Sequence, residues 1–206
     1  MEGLLRLREQ GKIRAIGFCN IDCELLRRAL RVGRVDTIQA AYSLLNREIE
    51  GELIPLCRDH GVAVWAYWAM ERGLLSGSTP SRGTLLRNDH RRWDYRFSRS
   101  SRRRVREAFE KAGQDEDFAA WPPARLALAW ALHAPGVEAV LVGATSPQEV
   151  RANGGALDVP LSEEQRQRLA ACFASCAQAL ARPSLEKQGF KVVGWALAKI
   201  AMWRAP

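Results

Sequence analysis

The chain has 206 residues, of which 47% are hydrophobic and 26% are charged, and its formal net charge is +8. This length and composition suit one packed domain. A membrane span would need about 18 uninterrupted apolar residues, and the sequence contains no such run and no basic segment followed by an apolar one at its start, so we expect a cytoplasmic protein.

Five cysteines form an odd set, which suits reduced thiols in a cytoplasm. Cys19 and Cys23, like Cys172 and Cys176, are spaced four residues apart, a spacing that can hold zinc on a helix. The favoured interpretation is that Cys19 ends a strand and that Cys172 and Cys176 are small hydrophobic residues on the apolar side of a helix. We therefore predict no metal site.

Ten arginines lie between Arg82 and Arg106, interleaved with Trp93, Tyr95 and Phe97. Clustered guanidinium groups bind phosphates, so this segment raises the hypothesis of an arginine-rich polyanion-binding protein. Arginine outnumbers lysine along the whole chain, however, which indicates a compositional bias. We favour a solvated or anion-facing loop and do not favour nucleic acid as a partner.

The first half of the chain alternates short β-branched runs with helical patterns. Residues 13–18 form the first predicted strand, and a helix opens at the N-cap Asp22 and ends at Gly33. Residues 35–43 form the second strand. The helix that follows ends at Gly61, which supplies a left-handed cap.

The second half begins with a strand over residues 62–68, whose continuous apolar character predicts a strand covered on both faces. Residues 70–98 form a connection far longer than an ordinary strand-to-helix loop. Helical patterns then cover residues 100–112 and 122–133. Residues 137–143 form the fourth predicted strand.

Two more helices end the folded part: one runs through Val150 to about Gly154, and one starts at the capping box from Ser162 to Gln165. Residues 189–203 are apolar with lysines nearby; we expect a helix that docks on the domain, with attachment to a membrane surface as the alternative. Four parallel strands can be an open sheet or half of a closed barrel. No G-x-G-x-x-G turn, which is typical of a nucleotide-binding open sheet, follows the first strand, so half a barrel has to be considered as the fold.

Four segments carry a resemblance to a known family: LREQGKIRAIGFCN at 7–20, VDTIQAAYSLLNR at 35–47, residues 57–77 and, more loosely, residues 135–153. In this order they resemble the second half of the aldo/keto reductase barrel, over residues 4–175. The resemblance implies an α/β fold, a partial (β/α)8 barrel of about four βα units with extra C-terminal helices. It assigns residues 1–180 to this domain and leaves 181–206 as an apolar, basic helical tail.

The resemblance also implies a nicotinamide cofactor, NADP by family default, at the carboxyl ends of the strands. Asn20 and Gln39 would bind the nicotinamide carboxamide, beside Cys19, which replaces a usual serine. Tyr67 would lie flat against the ring. Each of these residues also has an open structural role as a turn, cap or core residue. The positions that approach the pyrophosphate are Trp68, Met70, Gly73 and Leu75.

The fourth strand is similar to the family's site for the adenosine end of the cofactor. Gly143, Ala144 and Thr145 would offer backbone amides and a hydroxyl near a helix N-terminus. Asn153 matches an adenine-contacting asparagine. Glu149 stands where glutamine or arginine is usual, and a carboxylate there disfavours a 2′-phosphate.

The family reduces small carbonyl compounds with NAD(P)H, using an aspartate, a tyrosine, a lysine and a histidine from the first half of the barrel. We find no counterpart of these four residues, predict no catalytic residue, and expect the chain to be truncated and inactive alone. It would need a complementary N-terminal half or self-association. The alternative is a catalytically dead binding or structural module; a membrane partner is not favoured.

Overall fold

A parallel four-stranded sheet forms the centre of the molecule. The computed structural model describes residues 1–78 and 85–181. The strands follow the chain order β1-β2-β3-β4, and each pairs in parallel with the next, so all their carboxyl ends meet at one edge. The strands are β1 (Gly17–Cys19), β2 (Thr37–Ala41), β3 (Ala63–Tyr67) and β4 (Val137–Leu141).

Helices precede, connect and follow the strands, as a sheet built from crossover units requires. Side chains cap several of them: Asp22 accepts the Leu25 amide at 2.7 Å, and Ser162 and Gln165 form the predicted capping box. The α-helices of the described residues are α1 (Glu2–Glu9), α2 (Cys23–Val32), α3 (Leu53–Asp59), α4 (Arg99–Ala112), α5 (Glu116–Ala119), α6 (Pro123–Leu132), α7 (Pro147–Gly154) and α8 (Glu163–Leu180).

The predicted order of strands and helices, the α/β class and the partial barrel of about four βα units are confirmed. The first strand is shorter than predicted and starts at Gly17. The reason is that the Ile16 amide donates to the Asp36 carboxylate at 2.8 Å and leaves the strand ladder. Gly61 has the predicted left-handed backbone, with φ of 64°.

One expectation was wrong. The third strand is covered on one face only, because the Trp65 side chain on its other face is 38% exposed. The long connection over residues 70–98 contains, where it is described, short 3-10 turns at Glu71–Gly73, His90–Trp93 and Tyr95–Phe97. Local hydrogen bonds to Asp89 and Asp94 start two of these turns.

The larger hydrophobic core lies where α4, α6 and α8 meet. Tyr42 and Trp130 stack with ring centroids 5.0 Å apart, and the Trp130 indole N–H donates to the Arg166 carbonyl at 2.9 Å. Cys176 is buried there, and this burial raises the pKa of its thiol to about 11. A second cluster, including Leu26, fills the space between the sheet and helices α2 and α3.

Parts of the prediction lie outside the described residues, namely Arg82 and the tail helix over residues 189–203. The division between residues 1–180 and 181–206 therefore stays a prediction. Within residues 1–78 and 85–181, no helix combines the length and the apolar character that a bilayer crossing demands.

Candidate functional site

The carboxyl ends of β1, β2 and β3 bring three of the predicted site residues together. The backbone N–H of Asn20 donates to the backbone carbonyl of Gln39 at 3.1 Å, and the Tyr67 hydroxyl donates to the side-chain Oδ1 of Asn20. Cys19 pairs with Gln39 in the sheet register and is exposed at the same edge. Because Oδ1 of Asn20 accepts from Tyr67, the NH₂ group of Asn20 is left to meet a carbonyl acceptor on a ligand.

Asn20 reaches this position through an unusual backbone. Its φ is 58°, in the left-handed region that asparagine tolerates better than most residues. The turn directs the chain from β1 towards Asp22, the N-cap of α2. An asparagine at this position therefore has a conformational reason as well as a binding one.

The turn after β3 holds the predicted pyrophosphate positions and is strained. Trp68, Glu71 and Arg72 have φ of 58°, 47° and 56°, and Gly73 has φ of 94°. Such backbone costs energy for residues that carry a Cβ, and it persists only where its surroundings enforce it. Clustered strain of this kind is typical of functional turns.

Backbone hydrogen bonds close this turn on itself. The Gly73 and Leu75 amides both donate to the Met70 carbonyl, at 2.9 and 3.1 Å. The Leu75 side chain is fully buried and anchors the turn in the core. Trp68, by contrast, is 41% exposed and carries the Arg72 guanidinium 5.1 Å from its ring centroid.

A buried network, which the sequence did not reveal, enforces the strained backbone. Glu71 is 2% exposed and accepts from Ser43 Oγ at 2.8 Å and from Arg96 at 2.9 Å. Asp94 pairs with both Arg96 and Arg72. Burial alone would raise the pKa of Asp94, but Arg96, its backbone amide and Arg72 hold that pKa below its usual value.

The loop after β4 contains the other predicted group. Gly143, Ala144 and Thr145 are exposed, and Ser146 caps α7 by accepting the Glu149 amide at 3.2 Å. Glu149 folds back, and its Oε2 accepts the Thr145 amide at 2.6 Å and the Thr145 hydroxyl at 3.1 Å. The hydrogen bond from the Thr145 backbone N–H lowers the pKa of Glu149, so the carboxylate is anionic at neutral pH.

Asn153 lies one helical turn beyond Glu149 on the same side of α7 and is half-buried. The structure thus places the predicted residues in two groups at the carboxyl edge. One group surrounds Asn20 and Tyr67 and continues into the turn after β3. The other surrounds Thr145 after the neighbouring strand β4.

Comparison with known proteins decides the family. The sequence profile of the Aldo/keto reductase family matches residues 1–174. The chain belongs to the aldo/keto reductase family. It is 38% identical over 169 residues to the NADH-specific methylglyoxal reductase of Escherichia coli (strain K12), a match that covers 78% of this chain and 48% of that protein. The chain thus spans about half the length of this relative.

Solved structures agree. The glycerol dehydrogenase AKR11B4 of Gluconobacter oxydans matches with a TM-score of 0.76 and 26% identity, covering 88% of this chain and 55% of that one. The holo form of the aldo-keto reductase AKR11C1 of Bacillus halodurans matches with a TM-score of 0.61 and 29% identity, covering 89% and 55%. The four strands therefore correspond to part of an aldo/keto reductase barrel.

The tyrosines of this aldo/keto reductase chain are all engaged as donors. Besides Tyr67, Tyr42 donates to Glu50 at 2.5 Å and Tyr95 donates to the Leu180 carbonyl at 2.9 Å. Tyr42 is also buried, and burial together with Glu50 raises the pKa of its phenol. A tyrosine that gives a proton to a carbonyl substrate must have its hydroxyl directed at that substrate.

The lysines of the described residues lie away from the carboxyl edge of the sheet. Lys12 precedes β1 at the amino edge of the sheet, and Lys111 lies in the last turn of α4. Neither follows the carboxyl end of a strand. Within residues 1–78 and 85–181, the geometry thus offers no tyrosine assisted by a lysine at the edge where the cofactor residues meet.

A cavity of about 700 Å³ adjoins Asn20 and Tyr67, and its wall includes Cys23, Arg27 and Glu52. Burial and the neighbouring Glu52 raise the pKa of Cys23, which keeps this thiol protonated. The cavity is thus a recess beside the cofactor residues with a mixed polar wall.

Several arginines of the arginine-rich segment form ion pairs with acidic residues of this chain, which the sequence did not indicate. Arg91 bonds Asp89 at 2.7 Å, and Arg96 bonds Glu71 and Asp94. A groove of about 1120 Å³ runs along α4 and keeps a basic wall. Its arginines are Arg99, Arg102, Arg103 and Arg106, of which Arg103 and Arg106 pair with Glu107 and Glu110.

Proposed function

We propose that this chain is the cofactor-binding half of an NAD(P)H-dependent aldo/keto reductase, and that it reduces small carbonyl compounds only when a second half supplies the proton donor. The observation that carries the proposal is the hydrogen-bonded group of Asn20, Gln39 and Tyr67 at the carboxyl edge. The commitment of all three tyrosine hydroxyls to protein acceptors supports its second part.

The residues present fit a nicotinamide cofactor. Asn20, with its Oδ1 held by Tyr67, has its NH₂ group left for the carboxamide oxygen. The Tyr67 ring is half-buried and anchored at its hydroxyl, which suits it to support a flat aromatic ring. The strained turn after β3 would receive the pyrophosphate. When bound, the nicotinamide supplies the hydride; the chain's own residues bind and orient it.

Titration with NADH, followed by energy transfer from tryptophan, tests the cofactor site. Tyr67→Phe keeps the ring but loses the bond that orients Asn20, so we expect the Kd to rise roughly fivefold, the equivalent of one hydrogen bond. Tyr95→Phe is the matched control, because its hydroxyl donates to Leu180 far along the chain. No NADH binding by the unsubstituted chain, or equal effects of both variants, would overturn the proposal.

We also propose that the chain prefers NADH, against the family default of NADP. The negatively charged Glu149 carboxylate already accepts the hydrogen bonds of the Thr145 backbone N–H and hydroxyl. A 2′-phosphate that approached this helix N-terminus would meet a carboxylate instead of free donors. The name of the Escherichia coli relative, an NADH-specific methylglyoxal reductase, supports the same preference.

The preference depends on one side chain and can be tested there. Glu149→Gln removes the charge, and we expect it to tighten NADPH binding about tenfold while changing NADH binding about twofold or less. Glu164→Gln, an exposed glutamate in the first turn of α8, is the control. An unchanged NADPH affinity in Glu149→Gln would show that Glu149 does not set the preference.

The relatives support the substrate class. Methylglyoxal and glycerol, in the names of two relatives, are small molecules bearing carbonyl or hydroxyl groups, so we propose a small carbonyl compound as substrate. Free cysteines, two of them buried, support a reducing, cytoplasmic location. The basic groove along α4 favours polyanion binding as the second candidate; steep salt dependence of RNA binding, with no response to NADH, would select it.

A further inference from the structure

The groove of about 1120 Å³ along α4, which we call the α4 groove, is lined by other residues than the cofactor site. Its described lining combines Leu74, Gly77 and Ser78 of the segment after β3 with side chains of α4 and with Pro123 at the start of α6. None of the positions that we assign to the cofactor belongs to this lining. The α4 groove therefore needs an explanation of its own.

The helix α4 presents two stripes of side chains to this groove. Four arginines at helical spacing form a cationic stripe, and Val105 and Phe109, four residues apart, form an apolar stripe beside it. A ligand that matches both stripes carries an anionic group on an apolar body. The cationic stripe consists of Arg99, Arg102, Arg103 and Arg106.

Two arginines of the cationic stripe differ from the other two in their partners. Arg103 and Arg106 pair with glutamates one turn further along α4. Neither Arg99 nor Arg102 forms an ion pair with any carboxylate in the part of the chain that the structure describes, and Nε of Arg102 is buried without a hydrogen-bond partner. A buried donor without an acceptor is costly, so an acceptor supplied by a ligand in the groove would stabilise it.

The place of these arginines in α4 also favours an anion. The first turn of α4 contains no acidic residue, although the positive end of the helix dipole lies there. Arg99, Arg102 and Arg103 instead bring cations to that end, at spacings where like charges repel each other. An anion bound between them offsets both repulsions, and Ser100 adds a hydroxyl to the same part of the groove.

The cationic groups without a carboxylate partner are close together, which favours a small ligand. Arg99 and Arg102 are separated by a rise of about 4.5 Å along the helix axis. This length suits a single phosphate group, whose oxygens the planar arginine fork binds in pairs. A polyanion, the second candidate above, needs cations spread over several phosphates, but Glu107 and Glu110 already pair with the arginines further along α4.

We propose that the α4 groove binds an organic phosphate monoester, whose phosphate lies between Arg99 and Arg102 and whose apolar body lies against Val105 and Phe109. The buried Nε–H of Arg102 and one of its terminal N–H groups donate side by side to two phosphate oxygens. The proposal does not rest on cofactor binding, because the described lining of the groove shares no residue with the cofactor positions.

The test uses the 206-residue chain in a buffer without phosphate and 1-naphthyl phosphate as the probe, whose fluorescence anisotropy measures binding. The comparison ligands are 1-naphthol, which lacks the phosphate, and inorganic phosphate, which lacks the apolar body. We expect the probe to bind about tenfold more tightly than either. Equal affinity for inorganic phosphate, tighter binding of an oligouridylate, or displacement of the probe by NADH would overturn the proposal.

Matched arginine variants locate the site on α4. Arg99→Gln and Arg102→Gln should each raise the Kd of 1-naphthyl phosphate about tenfold, since each removes charge-assisted hydrogen bonds. Because Arg99 is exposed, its variant tests the site even where Arg102→Gln perturbs the helix. Arg104→Gln is the control, because Arg104 is exposed on the same helix and does not line the groove. Equal weakening by all three variants would show a response to net charge alone and would overturn the proposal.

Discussion

The two faces of the sheet differ in how completely this chain covers them. On the helix-covered face, Ile38 and Val64 are 0% and 1% exposed. On the opposite face, which we call the open face, Trp65 of β3 is 38% exposed and Leu141 of β4 is 39% exposed. Among the described residues, helices thus cover one face of the sheet and leave the side chains of the other face partly in water. The cofactor residues lie where the open face meets the carboxyl edge.

The largest contrast should appear when one large residue is truncated on each face. Ile38→Ala leaves a cavity in the covered core, and we expect it to lower the free energy of unfolding by about 3 kcal/mol. Trp65→Ala should cost less, about 2 kcal/mol, because 38% of this residue is already exposed to water. Urea denaturation of both variants measures the difference; equal costs would show that the open face is covered.

A comparably large loss of stability should follow when the turn after β3 is weakened. The buried carboxylate of Glu71 holds this strained turn in place. Glu71→Gln removes one of the two carboxylates that pair with the buried Arg96 guanidinium, the other being Asp94, and should lower the free energy of unfolding by about 3 kcal/mol. Glu107→Gln, an exposed residue on α4, should cost less than about 0.5 kcal/mol. If both variants denature at the same urea concentration, the buried network does not hold the turn.

A smaller effect should follow pH. Asp94 has a pKa held below its usual value, so its pairing stabilises the fold fully above the pKa of an unfolded aspartate, about 4, and is lost as the pH falls through the lower folded pKa. Asp94→Asn should therefore narrow the gap in thermal stability between pH 7 and pH 3. An unchanged gap would mean that Asp94 titrates alike in both states.

The sequence was sufficient for the features that depend on local pattern. Asp22 and Ser162 start helices because their side chains cap the next turn, and Gly61 ends one because it tolerates a left-handed backbone. The group of Asn20, Gln39 and Tyr67 followed from resemblance and parallel topology. Such features need few long-range contacts.

The remaining features depend on contacts between distant parts of the chain. Glu71 reaches Ser43 and Arg96 across 28 and 25 residues, and no spacing in the sequence marks these partners. The exposure of Trp65 was missed because an apolar strand looks the same whether its second face is covered by this chain or by another unit. The bond from Thr145 to Glu149 spans only four residues but depends on the turn before α7.

The most direct test of the account is the consumption of NADH with methylglyoxal by the 206-residue chain alone, at concentrations where NADH binding is saturated. The account predicts bound NADH without turnover, because Tyr42, Tyr67 and Tyr95 all donate their hydroxyls within the protein. Steady oxidation of NADH by the chain alone would contradict it, since a proton donor would then have to lie in this half.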